Sequence, residues 1–164
     1  MKRIVTIPVI ALAQLALVGV AVAPQLSAHV TGDTYLMRVA PLDPIDPFRG
    51  AYVTLDYPDL RHGDVDEWNT GLGSVDDGDR GDIYVSLQEE GGVWVAEDWT
   101  RERPEDGPYL ACNDRSWQIR CGIESFFLPQ DKAQETEELL SDGAVAEVRI
   151  DSRGNATVVG VRAP

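Results

Sequence analysis

The residues best suited to chemistry are three charged side chains in a proline-rich segment, Pro41-Leu-Asp-Pro-Ile-Asp-Pro-Phe-Arg-Gly50. Asp43 and Asp46 each precede a proline, which restrains their backbones to extended conformations, and their carboxylates can accept N–H bonds from the following turns. Arg49 is near enough in sequence to form a bidentate ion pair with either aspartate. The pattern indicates an ordered turn that leads into a strand, or a small polar binding site. It does not favour catalysis, because nothing places a nucleophile or a base beside the two carboxylates.

Glu124 is the fourth candidate, because it lies inside the apolar run 123–128. If that run is a strand, alternation places Glu124 on one face together with Phe126. A half-buried carboxylate needs a partner, or its pKa rises. Arg49 or Arg120 could supply that partner in a structural salt bridge. The alternative is an acid that binds a ligand.

The other chemistry-bearing residues favour neither a metal nor a cofactor. The histidines are His29 and His62, and neither falls in a metal-ligand motif. The acidic segment 76–82 lacks the residue order of an EF-hand calcium loop. Lys2 and Lys132 are the two lysines, and the chain has no nucleophile-elbow motif, phosphate loop or dinucleotide fingerprint. We therefore expect no metal, no cofactor and none of the common catalytic machinery.

The two cysteines, Cys112 and Cys121, leave three interpretations open. Outside the cytoplasm a pair at this spacing is typical of a disulfide, which would stabilise the fold by about 2–3 kcal/mol and would hold the two Cα atoms within about 7 Å. The alternatives are two free buried thiols or a metal site, and the sequence favours the disulfide.

The N-terminus predicts a membrane segment. Lys2 and Arg3 precede residues 4–23, which carry no charge, and twenty helical residues span roughly 30 Å, the thickness of a hydrocarbon core. The alternative is a cleaved signal peptide. The small-x-small site at 21–23 is followed by a proline and is a poor cleavage site, so we expect an uncleaved anchor over residues 1–28. The positive-inside rule then predicts a cytoplasmic N-terminus and a domain outside the cell membrane.

Residues 29–164 are strongly acidic, with 12 basic and 28 acidic residues and a net charge of −16. Such a surface repels phosphate backbones and anionic lipid headgroups, so we expect no nucleic-acid binding. The acidity is explained by solubility in a solute-rich or cation-rich medium, or by a cationic partner. The first explanation is the simpler one.

The chain after the anchor is long enough for one domain and not two. A short surface helix is predicted at 130–140, and the long connection 58–80, which has little apolar content, is either functional or mobile. Period-two alternation predicts eight short strands: 34–40, 51–57, 82–87, 92–98, 108–112, 116–128, 144–150 and 156–161. We expect a mainly β domain, a partly closed barrel or sandwich with one short helix, behind one transmembrane helix.

The segment Gly50-Ala-Tyr-Val-Thr-Leu-Asp-Tyr57 resembles the signature of the GDYXXLXY family, small bacterial proteins that usually carry an N-terminal membrane segment. Ala51 stands where the family name has an aspartate, so a role that depends on that carboxylate is not expected here. Segments 81–87 and 121–129 are also similar to the family. The resemblance implies membrane topology and a fold, and it implies no activity. Four residues match the signature: Gly50, Tyr52, Leu55 and Tyr57.

These observations predict a membrane-tethered, extracytoplasmic, non-enzymatic domain that binds a protein partner, most simply another membrane protein. The expected binding surface is the segment 43–49 or the connection 58–80. The alternative is a small-ligand receptor or an enzyme whose site joins Asp46, Arg49 and Glu124. Convergence of those three side chains on an enclosed cavity would favour the alternative.

Overall fold

The computed structural model describes residues 2–41, 52–61, 80–115, 119–127, 140 and 143–164. Within these ranges one long helix precedes eight strands, with a 3-10 turn at Pro58–Leu60 after the second strand. The predicted helix at 130–140 lies outside the described residues except for Leu140, which is helical and buried. The elements are α1 (Lys2–Thr31), β1 (Asp33–Pro41), β2 (Tyr52–Asp56), β3 (Asp82–Glu90), β4 (Val93–Thr100), β5 (Tyr109–Asn113), β6 (Ser125–Phe127), β7 (Ala144–Ile150) and β8 (Ala156–Arg162).

Helix α1 is long and apolar enough to cross a membrane between Ile7 and Thr31, and the most apolar part of this stretch packs against no other described part of the protein. Pro8 lies near its start, where proline disturbs a helix least, and Pro24 lies inside it. The helix continues past residue 28, where the sequence placed the end of the anchor, and passes almost directly into β1. The apolar helix is therefore joined to the β domain without a flexible linker between Thr31 and Asp33.

The strands form two antiparallel sheets, which confirms the predicted mainly β fold. One sheet has five strands in the order β6-β2-β1-β7-β8, and the other has three in the order β4-β3-β5. Strands β6 and β8, at opposite edges of the larger sheet, touch but are not hydrogen-bonded neighbours. The described strands are therefore not closed into a barrel.

A shared core joins the two sheets, and it follows from the alternation of apolar residues along the strands. In β7, for example, Ala144, Ala146, Val148 and Ile150 are all buried. Tyr35 of β1 meets Trp94 of β4 edge to face, with ring centroids 5.0 Å apart, which links the larger sheet to the smaller one.

One predicted strand is wrong over most of its described length. Of the run 116–128, only Ser125–Phe127 forms a strand, and residues 116–118 and 128 lie outside the described residues. The chain from Ile119 to Glu124 contributes only an isolated bridge between Asn113 and Arg120. The apolar residues Ile119 and Ile123 are buried all the same, so their pattern reflects burial in a turn and not pairing in a ladder.

The connection between β7 and β8 touches the smaller sheet at Gly154. Its carbonyl accepts a hydrogen bond from Ala111 N at 2.8 Å, and its φ of +78° is one that L residues rarely adopt. A Cβ at this position would lie 2.5 Å from Tyr109 Cε2 and 2.8 Å from Ala111 N. The backbone of this turn is therefore in direct contact with β5.

We predict that Gly154→Ala lowers the free energy of unfolding by about 2–4 kcal/mol, because the methyl group would collide with a buried tyrosine ring in addition to straining the backbone. Gly107→Ala is the matched control, since Gly107 has φ +80° and nothing within 4 Å of the added Cβ. It should lose only about 1 kcal/mol. Denaturant unfolding of the full chain in detergent, followed by tryptophan fluorescence, measures both values. Equal losses would contradict the close contact.

Candidate functional site

The proline-rich segment that carries Asp43, Asp46, Arg49 and Gly50 lies outside the described residues. The chain leaves the described structure at Pro41, the end of β1, and returns at Tyr52, the start of β2. The predicted cluster of these side chains with Glu124 therefore stays a prediction, and Glu124 is its one described member.

The described residues of the family signature hold the β2 strand in place. Leu55 and Tyr57 are buried, and the backbone of Tyr52 pairs with Phe127 of β6. The Tyr57 hydroxyl donates to Ile123 O at 2.9 Å. Burial, and secondarily the negative charge of Glu124, raises the Tyr57 pKa well above its usual value. Tyr57 therefore stays protonated and acts as a buried hydrogen-bond donor.

The carboxylate of Glu124 is engaged by its own turn. It accepts hydrogen bonds from the backbone N–H groups of Cys121 and Gly122, the latter at 3.1 Å to each oxygen. The Glu124 carbonyl accepts from Leu55 N at 2.9 Å. Glu124 does not lie in a strand, and within the described ranges Arg120 does not pair with it. The predicted salt bridge with Arg120 is thus replaced by local backbone bonds.

Cys112 and Cys121 form a disulfide with Cα atoms 4.1 Å apart, well inside the limit that the sequence predicted. The bond joins β5 to the turn that Glu124 organises. Next to it, Asn113 and Arg120 exchange backbone hydrogen bonds at 2.8 and 2.9 Å. The two ends of the loop between the cysteines are therefore joined by one covalent bond and two hydrogen bonds.

Asp114 fixes the start of this closed loop to the residue before β3 and to the residue after β4. Its carboxylate accepts from Arg101 Nη2 at 2.5 Å and from Gly81 N at 2.6 Å. The hydrogen bond from Arg101 has the largest effect on the Asp114 pKa, and together these contacts lower that pKa from 3.8 to about 2. Burial of the carboxylate acts in the opposite direction but is outweighed.

A pocket of about 380 Å³ opens beside the disulfide, between α1 and the smaller sheet. Pro24 and Gln25 of α1 form part of its wall, and three arginines, Arg103, Arg120 and Arg153, also line it. The sequence did not reveal this pocket, because its arginines come from three separate turns. Glu124 is not among its lining residues.

The last turns of α1 are bound to the β7–β8 hairpin by a set of polar contacts that we call the junction clamp: Ser27, Gly32, Arg149 and Asp151. Ser27 Oγ donates to Asp151 Oδ2 at 2.5 Å. Arg149 donates to Gly32 O through Nε at 3.0 Å and Nη2 at 2.8 Å, and Nη1 donates to His29 O. A guanidinium thus caps the carbonyl end of the helix, where its charge also complements the helix dipole.

Asp151 is the centre of the junction clamp. The residue is 7% exposed, and its carboxylate also accepts from Arg153 N at 2.8 Å and from Asn155 N and Nδ2 at 3.0 and 2.9 Å. Burial alone would raise the Asp151 pKa, but the hydrogen bonds from Asn155, Ser27 and Arg153 outweigh it and lower the pKa. The same carboxylate therefore shapes the β7–β8 turn and holds the helix.

We predict that the stability of the protein falls between about pH 4 and pH 2 in part because of Asp114. Its pKa is 3.8 when unfolded and about 2 when folded, so the folded chain keeps the negative charge at a pH where the unfolded chain takes up a proton. The contribution is complete above the unfolded pKa and is lost as the pH falls through the folded pKa.

Asp114→Asn should therefore show a shallower decrease of the unfolding midpoint over this pH interval than the wild type. Glu97→Gln removes an exposed carboxylate on β4 and is the control. Parallel pH profiles for Asp114→Asn and the wild type would contradict the role assigned to the Arg101 and Gly81 contacts.

Comparison with known proteins identifies a family. No curated protein and no solved structure matches the chain. The family model described as GDYXXLXY protein matches residues 14–161, which include most of α1 and all but the final residue of the strands. The chain therefore belongs to the GDYXXLXY family.

Proposed function

We propose that this protein is a single-pass membrane protein whose β domain lies outside the cell membrane and binds another membrane protein without catalysing a reaction. The length and composition of α1 support the membrane anchor. Lys2 and Arg3 at its start support a cytoplasmic N-terminus. The family match supports an N-terminal membrane helix followed by a β domain. It does not identify a binding partner.

The observation that carries the proposal is the junction clamp. A tether that only keeps a domain near a membrane can be a flexible linker. Here the helix continues into the domain, Ala28 is fully buried against it, and Arg149 and Asp151 bind the last helical turns. The domain therefore has one orientation relative to the anchor. Such an orientation is useful when the partner is also fixed in the plane of the membrane, because less rotational freedom is lost on binding.

The proposed partner surface is the segment 43–49, which follows β1 in the sequence. Strand β1 starts two residues after α1 ends, and its nine residues span about 26 Å at 3.3 Å per residue. Pro41, the last described residue before this segment, is therefore far from the junction. The connection 58–80, of which residues 62–79 lie outside the described residues, is the other proposed contact region.

The engagement of Glu124 supports partner binding over the alternative small-ligand or enzymatic site. That site requires a free carboxylate at Glu124 beside Asp46 and Arg49. In the described part of the chain the Glu124 carboxylate binds the N–H groups of Cys121 and Gly122 and stabilises a turn. A carboxylate that is bound in this way is poorly suited to bind a ligand or to catalyse a reaction. If it moved to contact a ligand, the N–H groups of Cys121 and Gly122 would lose their hydrogen-bond acceptor.

We predict that a photo-crosslinking residue at position 46 or 49 of the full chain in its native membrane yields the same adduct with one membrane protein. The control position is Gln88, which lies on the exposed part of the β3–β4 hairpin and should give no such adduct. Absence of a common adduct from positions 46 and 49 would contradict the proposed surface.

Arg49→Ala gives an independent test of the same surface. We expect it to weaken capture of the crosslinked protein while the unfolding midpoint stays within a few degrees of the wild type. Arg162→Ala, which removes an exposed ion pair with Glu147 on the β7–β8 hairpin, is the control and should leave capture unchanged. A folded Arg49→Ala variant with unchanged capture would count against the segment as a binding surface.

A further inference from the structure

Nine of the described arginines fall into two groups according to their partners. In the described residues Arg38, Arg61, Arg101, Arg115 and Arg162 each pair with a carboxylate, and Arg149 binds the end of α1. By contrast, Arg103 donates to Ser152 O at 3.0 Å and lies over the Tyr109 ring, and within the same ranges the side chains of Arg120 and Arg153 have no carboxylate partner. These three arginines all line the pocket beside the disulfide.

This clustering is unexpected in a chain with 28 acidic and 14 basic residues, where carboxylates are abundant. Among the described residues that line the pocket, the one carboxylate is Asp82, which accepts from Asn113 Nδ2 at 3.0 Å and lies 3.6 Å from Arg115. The charge of Asp82 is therefore partly balanced from outside the pocket. The side chains that line the pocket therefore carry a net positive charge, although the net charge of the protein is strongly negative. The carboxylates of Glu124 and Asp151 lie next to lining residues, where they accept hydrogen bonds from Gly122 N and Asn155 N.

The position of the pocket along α1 sets its depth in a membrane. Twenty residues counted from Ile4 end at Ala23, and Pro24 and Gln25 come next and line the pocket. Ser27 and Ala28 already contact the domain, so the hydrocarbon must end before them. At about 1.5 Å per residue, the pocket lies just outside the hydrocarbon boundary, in the headgroup region that contains the lipid phosphates.

The chemistry of the pocket fits a phosphate group. Guanidinium groups donate paired N–H bonds that match phosphate oxygens, and they are more weakly hydrated than ammonium groups. A volume of about 380 Å³ is enough for a phosphate with its glycerol substituent but not for a large ligand. The acyl chains would remain outside, along the exposed apolar surface of α1.

We propose that this pocket binds the phosphate of an anionic phospholipid headgroup. The proposal rests on α1 spanning a membrane, as in the proposed function, but it does not depend on a protein partner. The negative charge of the protein repels anionic lipids generally, so within the described ranges we expect binding only at this pocket. The affinity should fall as salt screens the arginines.

The test uses the full chain in a neutral detergent with its disulfide intact, and short-chain phosphatidylglycerol as the probe. Native mass spectrometry counts the bound lipid at rising lipid concentration. The double variant Arg120→Gln, Arg153→Gln removes two pocket charges. The matched control, Arg38→Gln with Arg162→Gln, removes two charges from exposed arginines outside the pocket. Unfolding midpoints verify that both double variants are folded.

We expect the pocket variant to bind phosphatidylglycerol at least about tenfold more weakly than the wild type, because each charge-assisted hydrogen bond contributes that order of affinity. The control should bind it within about twofold of the wild type. Equal binding by the pocket variant and the wild type, or an equal loss in both double variants, would overturn the proposal.

A parallel experiment adds inorganic phosphate to the lipid-bound protein. Complete displacement of the lipid by phosphate at equal concentration would show that the ligand is free phosphate and would reject the lipid. Because no partner is present, failure of this test leaves the crosslinking result unaffected.

Discussion

The architecture depends on one buried carboxylate at the junction of helix and sheet. Asp151 accepts four hydrogen bonds, three from its own hairpin and one from Ser27 on α1. Hydrogen bonds to a charged group contribute about 1.5–3 kcal/mol each, and loss of one partner leaves a desolvated charge behind. Arg149 adds the complementary charge at the helix end. The β7–β8 hairpin therefore forms one end of the larger sheet and also binds the last turns of α1.

Close packing makes this junction stiff. Gly32 lies so near β7 that a Cβ there would be 2.5 Å from Ala28 O and 2.9 Å from Ile150 N. Any larger residue would push the helix away from the sheet. The fixed geometry has two consequences if α1 spans a membrane. It holds the arginine-lined pocket at the level of the lipid phosphates, and it directs the far end of β1 away from the anchor.

Local patterns predicted the strands well, and long-range contacts explain what they missed. Strand β7 was predicted with its observed bounds, because alternation along a half-buried strand is a local property. The prediction of one strand over 116–128 is wrong for residues 119–124, because apolar residues that are buried in a turn can have the same sequence pattern as a strand. In this turn the Glu124 carboxylate accepts hydrogen bonds from the N–H groups of Cys121 and Gly122.

The junction clamp and the pocket had no local signal. Ser27 and Asp151 are 124 positions apart, and neither residue type marks such a contact in advance. Arg120 was considered only as a partner for Glu124, whereas it lines the pocket with two arginines from distant turns. The prediction that joins Asp43, Asp46 and Arg49 to a site falls outside the described residues and remains a prediction.

The proposed fixed orientation of the β domain relative to α1 can be measured directly. Spin labels at Gln14→Cys on α1 and Gln88→Cys on the β3–β4 hairpin, with the native disulfide kept oxidised, report the helix-to-domain distance by double electron–electron resonance in lipid bilayers. We expect one narrow distance distribution, which broadens in Arg149→Ala and in Gly32→Ala because both changes disturb the junction clamp. A broad distribution in the otherwise unaltered chain, equal to that of a chain with a glycine–serine linker inserted after Thr31, would contradict a fixed orientation.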